Sequence, residues 1–226
     1  MSKDWDRHVL HADELSRTPG FQELRNTILD LAQPAAADRA VDIGTGTGLL
    51  ALPLARQVSC VWAVDISAAM VEHLRSRASS DGLTNVHPVV ASATSVPLDR
   101  ESVDLVVSNY CFHHLGRSDK RRGLEEAFRV LVPGGRLVFG DMMFGWRPGQ
   151  RRDRSVIASK VRAMARRGPA GFARLARNAL RMLAFAGERP APPEWWQQAL
   201  GEAGFVDVAV ECLDHEGGIA VARKPG

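Results

Sequence analysis

The chain has 226 residues, 45% hydrophobic and 24% charged, with a net charge of +3, which predicts one α/β domain with a sizeable core. Three widely spaced cysteines exclude a disulfide framework and a zinc knuckle, and no apolar run approaches the roughly 18 residues of a membrane span. The cysteine pattern fits a reducing compartment, so we expect a cytoplasmic protein, and the charged first residues, MSKDWDRHVLHADE, are unlike a signal peptide.

Strand and helix patterns alternate along the first two thirds of the chain. Strand patterns occur at 39–43, 60–66, 85–91, 102–110 and 135–143, and helical patterns at 47–57, 67–80 and 121–131. Pro53 predicts a late start or a kink in the first of these helices, and Pro88 an irregularity in the third strand. Pro133 and Gly134 are predicted to end the third of these helices. The alternation predicts a doubly wound parallel sheet with right-handed crossovers.

The end of the chain follows a different pattern. A helix over 192–205, with Gly204 as its stop, precedes two strand patterns at 205–213 and 218–224. The loop between these two strands is short enough for a hairpin. The sheet is therefore predicted to end in an antiparallel pair.

The stretch VDIGTGTG, residues 41–48, joins the first strand to the helical pattern that follows it. Its glycines, Gly44, Gly46 and Gly48, are spaced G-x-G-x-G, unlike the G-x-G-x-x-G of dinucleotide-binding turns. A turn that holds a pyrophosphate uses bare N–H groups, and Asp42 would repel that anion. The stretch therefore favours a ligand that carries positive charge and disfavours a dehydrogenase.

Asp65 stands 23 residues after Asp42, at the carboxyl end of the second strand. A carboxylate at this place is suited to accept hydrogen bonds from both hydroxyls of a ribose. Together with the glycine spacing it favours S-adenosylmethionine, an adenosine without phosphate that bears a sulfonium and an ammonium. A helix cap is the alternative role of Asp65, although Ser67 is better placed to cap the helix over 67–80.

Five stretches resemble, in order, the class I S-adenosylmethionine-dependent methyltransferases, and most closely the bacterial small-molecule group that includes the ubiquinone and menaquinone methyltransferases. They are VDIGTGTGLLALPLA, VWAVDISAAMVEHLRSRA, ASATSVPL, SVDLVVSNYCFHHL and AFRVLVPGGRLVFGDM. The resemblance implies a Rossmann-like, mostly parallel seven-stranded sheet that ends in an antiparallel hairpin. It also implies methyl transfer from S-adenosylmethionine to a small-molecule acceptor, with the accepting atom (O, N, C or S) left open.

The resemblance implies which residues hold the methionine part of the cofactor. Gly44 and Gly46 let the backbone approach it, and Asp42 stands beside its ammonium. Gly48 permits close packing of the helix. Asn109 closes the floor of the site after the fourth strand.

The adenosine part has its own implied neighbours. Asp65 binds the ribose, and Ile66 covers one face of the adenine. Ser92 and Ala93 lie where the family binds the adenine edge. Many relatives carry Asp at the position of Ser92, so this contact is weaker here, and an ordinary loop serine is the alternative.

The stretch SNYCFHHL follows the fourth strand at the edge of the sheet where ligands bind in such folds. Histidine exchanges a proton near neutral pH, so His113 and His114 are candidate bases for an acceptor that must lose a proton. Adjacent helical residues point about 100° apart, so we expect only one ring to face the substrate. The resemblance favours His113. A histidine at a helix start, bonded to the backbone, is the alternative.

Residues 147–190 carry twelve Arg or Lys and two Asp or Glu, a charge of +10, whereas the rest of the chain carries −7. Two amphipathic helices are predicted here, with Val161 on the apolar face of the first and Leu175 on that of the second. They are interpreted as a lid over the substrate, whose outer face is either solvated or docks on an anionic membrane surface. Nucleic acid is disfavoured because aromatic residues are sparse, and the Pro-Pro-aromatic sequence of amino-methylating nucleic-acid enzymes is missing after Asn109.

The sequence therefore divides into four parts of one domain. They are a helical cap at 1–38, a cofactor-binding core at 39–146, the basic lid insertion at 147–190 and a final helix and hairpin at 191–226. The resemblance implies that the cap folds over the cofactor, with plain helical packing as the alternative. No metal cluster is visible in the sequence. A nucleic-acid or lipid methyltransferase and a non-catalytic S-adenosylmethionine-binding module remain as alternative functions, and the oligomeric state stays open.

Overall fold

The computed structural model describes residues 5–145, 151, 154, 155, 158, 161, 162, 189–213 and 216–226. Its strands are β1 (Arg39–Ile43), β2 (Cys60–Asp65), β3 (Val86–Val90), β4 (Val103–Asn109), β5 (Leu131–Met142), β6 (Val206–Cys212) and β7 (Gly217–Arg223). They form one seven-stranded sheet in the order β3-β2-β1-β4-β5-β7-β6. Strands β1 to β5 are parallel, and β7 is antiparallel to both β5 and β6. The predicted doubly wound sheet with a terminal antiparallel pair is confirmed.

Helices cover both faces of this sheet. They are α1 (Val9–Ser16), α2 (Pro19–Ala32), α3 (Ala51–Ala55), α4 (Ala68–Ser80), α5 (Arg117–Val130) and α6 (Pro193–Glu202). On one face Leu124 and Trp196 pack against the strands, and on the other face Ile28, Leu54 and Leu74 do so. Burial on both faces explains the nearly continuous apolar runs of the central strands. In the part of the chain that the structure describes, no helix combines the length and apolarity needed to cross a membrane.

Two local predictions about helix starts are confirmed. Helix α3 begins only at Ala51, because the preceding glycine turn is not helical, and Pro53 lies near its start, where a missing N–H costs little. Helix α4 is capped by Ser67, whose Oγ accepts a hydrogen bond of 3.1 Å from the N–H of Met70.

Two other local predictions are wrong. The pairing of β3 with β2 is regular through Pro88, because β3 is an edge strand on which a missing N–H is tolerated. Helix α5 starts earlier than predicted, at Arg117, although its end at Val130 agrees with the predicted end at 131 to within one residue. Pro133 and Gly134 lie inside β5, where the pairing with β4 shifts register.

Most of the basic insertion lies outside the described residues. Residues 151, 154, 155, 158, 161 and 162 are helical and exposed. Val161, on the predicted apolar face of the first helix, is 40% exposed. Leu175 and most of the predicted lid lie outside the described residues.

Candidate active site

The turn after β1 depends on glycine for its backbone shape. Gly44, Gly46 and Gly48 have φ of +74°, +53° and +91°, in the left-handed region that side chains disfavour. A Cβ added to Gly44 would overlap the side chain of Cys111, and one added to Gly48 would overlap Leu74. A Cβ on Gly46 would meet nothing within 4 Å. Gly44 and Gly48 are therefore required by packing, whereas the backbone at Gly46 borders open space that a ligand can approach.

Asp42, at the end of β1, is only 1% exposed. Its Oδ2 accepts a hydrogen bond of 2.7 Å from the hydroxyl of Thr45, and its Oδ1 has no partner among the described residues. Burial raises the pKa of Asp42 to about 7; the Thr45 hydroxyl and the nearby backbone N–H of Ala51 oppose this rise, and the charge of Asp65 adds to it. A buried carboxylate with an unpaired oxygen is an arrangement that a cationic donor would complete.

Asn109 supplies a second unpaired acceptor on the neighbouring strand. Its Oδ1 is buried and lacks a hydrogen-bond partner within the described part of the chain. Strand β4 ends at Asn109 and pairs with β1, in which Asp42 lies opposite Val107. Two unpaired oxygens therefore end adjacent parallel strands, at the sheet edge where α/β folds bind ligands.

Asp65 connects the glycine turn to helix α4. Its Oδ2 accepts from the N–H of Gly46 at 2.8 Å, and its Oδ1 accepts from the N–H of Ser67 at 2.9 Å. Burial raises the pKa of Asp65, and these backbone hydrogen bonds oppose the rise. Ile66 and Val90, beside this carboxylate, are 57% and 54% exposed although both are apolar. They form an open apolar surface next to a fixed carboxylate.

Ser92 and Ala93 follow the end of β3. The Ser92 hydroxyl lies 2.9 Å from that of Thr94 and accepts a hydrogen bond of 3.2 Å from the Thr94 N–H. This local turn agrees with the alternative role, in which Ser92 is an ordinary loop serine. Ala93 is partly buried against the core.

The N-terminal helices are tied to the same edge by charged contacts. The Ser67 hydroxyl donates to Asp6 at 2.5 Å. Arg77 on α4 donates 3.0 Å hydrogen bonds to Asp13 on α1 and to the backbone carbonyl of Thr47 in the glycine turn. Helix α1 is therefore held against α4 and the turn together.

His113 lies in a short 3-10 helix, Phe112–His114, that follows β4. Its Nδ1 is 2.7 Å from Oδ1 of Asp141, and its backbone N–H donates to Oδ2 of the same carboxylate at 3.0 Å. The histidine is 4% exposed and the aspartate is fully buried. A carboxylate at Nδ1 favours the neutral tautomer with its proton there, which leaves Nε2 as an acceptor. The side chain therefore bonds to a carboxylate rather than to the backbone.

The two histidine rings are neighbours, contrary to the expectation that they diverge. The centroids of His113 and His114 are 3.8 Å apart, and the ring of Trp5 lies 4.5 Å from that of His114. A tight 3-10 turn replaces the α-helix on which the expected angle was based. Tyr110, with φ of +51°, places its ring 5.7 Å from His113.

Several residues of this site were missed in the sequence. Asp141 could have been noticed in the sequence, because it is the only charged residue after Arg136 in the apolar stretch RLVFGDMM. Asp6 and Asp13 had none, because they contact residues 61 and 64 positions away. The buried Lys120 was missed too, since a helical lysine is normally solvated.

Part of this chain is similar to proteins of known family. Residues 40–135 match the family model described as a methyltransferase domain. The aklanonic acid methyltransferase of Streptomyces sp. (strain C5) is 31% identical over 127 residues, 55% of this chain and 57% of that protein. The demethylmenaquinone methyltransferase of Clavibacter sepedonicus is 38% identical over 105 residues, 46% of this chain and 41% of that protein. The chain thus spans about half the length of the curated relatives it matches.

A crystal structure of an S-adenosylmethionine-dependent methyltransferase from Aquifex aeolicus has the same fold. It superposes with a TM-score of 0.64 at 20% identity and covers 93% of this chain and 95% of that one. The fold inferred from the sequence is confirmed. The methyltransferase resemblance inferred from the sequence is supported by the family match over residues 40–135.

Proposed function

We propose that this chain, which carries a methyltransferase domain on the fold of the S-adenosylmethionine-dependent methyltransferases, transfers a methyl group from that cofactor to a small-molecule acceptor. The observation that carries the proposal is the pair of buried, unpaired oxygens of Asp42 and Asn109 beside the glycine turn. A buried acceptor without a partner costs about 1–3 kcal/mol, so the site favours a ligand with positively charged N–H donors. The acceptors named for two relatives, aklanonic acid and demethylmenaquinone, support a small molecule.

The residues present fit the cofactor. S-adenosylmethionine, when bound, supplies a methyl group activated by its sulfonium. Asp42 and Asn109 would accept from its ammonium, and the backbone at Gly46 leaves room for its methionine part. Asp65 accepts from the N–H groups of Gly46 and Ser67, and its remaining lone pairs would accept from ribose hydroxyls.

The adenine would lie on the open apolar surface formed by Ile66 and Val90. Because the Ser92 hydroxyl is engaged by Thr94, we expect Ser92 and Ala93 to meet the adenine edge through their backbone rather than through that hydroxyl.

His113 is the proposed catalytic residue for an acceptor that must lose a proton. Its Nε2 takes the proton from the acceptor, and the Asp141 carboxylate at Nδ1 stabilises the imidazolium that results. Asp141 is itself held by the N–H groups of His113 and Met142, the latter at 2.6 Å. A positioned base of this kind contributes about 10²–10⁴-fold to the rate.

The proposal is tested by binding and by turnover. Calorimetry with S-adenosylmethionine and S-adenosylhomocysteine comes first, followed by a labelled methyl donor offered to a panel of small molecules. His113→Ala and Asp141→Asn should each lower kcat by about 10²-fold with cofactor affinity nearly unchanged. His87→Ala is the matched control, since His87 is an exposed histidine on edge strand β3.

Three results would contradict parts of the proposal. Absence of binding by either cofactor form refutes it outright. Binding without turnover of any acceptor favours a non-catalytic binding module. Equal turnover of the wild type and His113→Ala across pH 6 to 9 would show that His113 is not a base and that methyl transfer relies on positioning of the reactants alone.

We further propose that the basic insertion covers the site and docks it on an anionic membrane surface. The support is its charge of +10 against −7 elsewhere. Each Lys or Arg near such a surface adds about 1 kcal/mol of binding. Sedimentation with anionic vesicles should show binding that is lost in high salt and in the triple variant Arg174→Gln, Arg177→Gln and Arg181→Gln. Equal binding to neutral vesicles, or none to either, refutes this proposal.

We propose a cytoplasmic location because the cysteine thiols form no disulfide. Cys60, Cys111 and Cys212 are all free, as expected in a reducing compartment. Fractionation of the source cells tests this location, and recovery in a secreted fraction contradicts it.

A further inference from the structure

Lys120 on helix α5 is a charged side chain in the protein interior, only 1% exposed. Its Nζ donates hydrogen bonds to two backbone carbonyls, that of Leu115 at 2.5 Å and that of Arg189 at 2.7 Å. It makes no salt bridge to a carboxylate of the described residues. Because burying an ammonium is unfavourable unless its donors are used, these two carbonyls account for its position.

The residues that carry these two carbonyls both lie next to His113. Leu115 directly follows the 3-10 helix Phe112–His114. The N–H of Arg189 donates to the carbonyl of His113 at 2.6 Å. Arg189 is therefore held on two sides, by His113 at its N–H and by Lys120 at its carbonyl. Lys120 closes a ring of hydrogen bonds around the turn that carries the histidine.

The charges around Lys120 come from several elements. Asp141 on β5 attracts its ammonium, whereas Arg189 and Arg117 repel it, and the Cys111 thiol lies nearby. Burial is the largest influence and lowers the pKa of Lys120 to about 8. The ammonium is therefore charged in most molecules at pH 7 and in few at pH 9.

We propose that Lys120 is a positioning residue for His113, and that its ammonium fixes the 112–115 turn against Arg189 so that the imidazole meets Asp141. The inference rests on the proposed methyl transfer at His113. Hydrogen bonds from a charged donor are stronger than those from a neutral amine, so the ring of hydrogen bonds weakens as the ammonium loses its proton. Turnover is therefore expected to fall as the pH rises through about 8.

The test compares the kcat–pH profiles of the wild type, Lys120→Met and Lys120→Arg between pH 6.5 and 9.5. A base displaced from its productive position lowers the rate, so Lys120→Met should lower kcat at pH 7 by about tenfold. It should leave the KM for the methyl donor unchanged and abolish the decline of kcat at alkaline pH. Lys120→Arg, which stays charged, should recover part of kcat and show no decline below pH 9.5.

Lys224→Met is the matched control. Lys224, which directly follows β7, is also buried and donates to a backbone carbonyl, that of Leu131 at 2.7 Å. Unlike Lys120 it also pairs with a carboxylate, that of Glu101 at 3.2 Å, and its partner Leu131 lies at the opposite end of β5 from Asp141. This variant should keep the kcat and the pH profile of the wild type even if its melting temperature falls.

Hydrogen exchange provides a measurement that needs no acceptor. The N–H groups of His114 and Leu115 donate to the carbonyls of Cys111 and Phe112 at 3.2 and 2.9 Å. Their protection at pH 7 should fall about tenfold in Lys120→Met and stay unchanged in Lys224→Met. If no acceptor is turned over, the proposed function fails while exchange still decides the role of Lys120. Wild-type protection in Lys120→Met, or equal loss of kcat in both methionine variants, overturns the inference.

Discussion

Binding of the cofactor should depend on pH through Asp42. The carboxylate is buried, one of its oxygens has no partner in the described part of the chain, and burial raises its pKa to about 7. An ammonium beside it requires the ionised form. The perturbation is therefore a change of pH between 6 and 8, together with Asp42→Asn, which removes the titration and keeps the shape.

The magnitude follows from the pKa. With a pKa of about 7, Asp42 is ionised in about a tenth of molecules at pH 6 and in about nine tenths at pH 8. Affinity for S-adenosylhomocysteine, which keeps the ammonium, should therefore be about tenfold weaker at pH 6, or about 1.4 kcal/mol. Asp42→Asn should bind weakly at both pH values, without this slope.

Stability should change in the opposite direction. Because the pKa of Asp42 is raised from 3.8 to about 7, the folded protein holds a proton that the unfolded chain has released over that range. The free energy of unfolding therefore falls as the pH rises from about 4 to 7, by at most about 4 kcal/mol. Asp42→Asn should melt at a higher temperature than the wild type at pH 8 and show little gain at pH 4.

Calorimetry between pH 6 and 8 measures the affinity, and thermal unfolding at pH 4 and 8 measures the stability. Methylthioadenosine is the control ligand, because it keeps the adenosine and lacks the ammonium. Its affinity should not depend on pH in this range. A flat affinity for S-adenosylhomocysteine in the wild type, or the same slope for methylthioadenosine, would refute the pairing of Asp42 with the ammonium.

Two further predictions concern the same edge of the sheet. Asp65→Asn should weaken S-adenosylhomocysteine and methylthioadenosine alike, by about 1.5–3 kcal/mol in calorimetry, because both carry the ribose; unchanged affinity in a folded variant removes Asp65 from the site. Arg77→Gln removes the hydrogen bonds from α4 to Asp13 and Thr47 and should weaken cofactor binding by about 1 kcal/mol. Its control is Arg56→Gln, which breaks an exposed ion pair and should leave affinity unchanged; equal effects of the two arginine variants argue against a role of α1 in binding.

Asp42 on β1 and Lys120 on α5 are two of the buried or partly buried ionisable groups with shifted pKa values around the proposed site; Asp65 is a third. Asp42 has a raised pKa and Lys120 a lowered one, and burial is the main cause in both. Groups of this kind concentrate at functional sites, because a buried charge lowers stability unless a ligand or a positioned partner uses it. Both predicted pH dependences follow from this common cause.

The sequence by itself determined the features that depend on neighbouring residues. Period-two and helical patterns located the strands and helices, and the short loop before β7 predicted the antiparallel pair. The glycine spacing with Asp42 and Asp65 predicted a ligand-binding edge, because Asp65 ends β2 and Asp42 lies one residue before the end of β1, next to the glycine turn. Such features need only local backbone geometry, which a short stretch of chain specifies.

The tertiary structure alone decided which distant side chains meet. His113 pairs with Asp141, 28 positions away, only because β4 and β5 are adjacent and end at the same edge. Lys120 reaches the carbonyl of Arg189, 69 positions away, because the chain returns to the His113 turn after the basic insertion. Strand order and helix packing arise from burial of apolar surface summed over the whole chain. The local sequence around any one of these residues therefore does not reveal its distant partner.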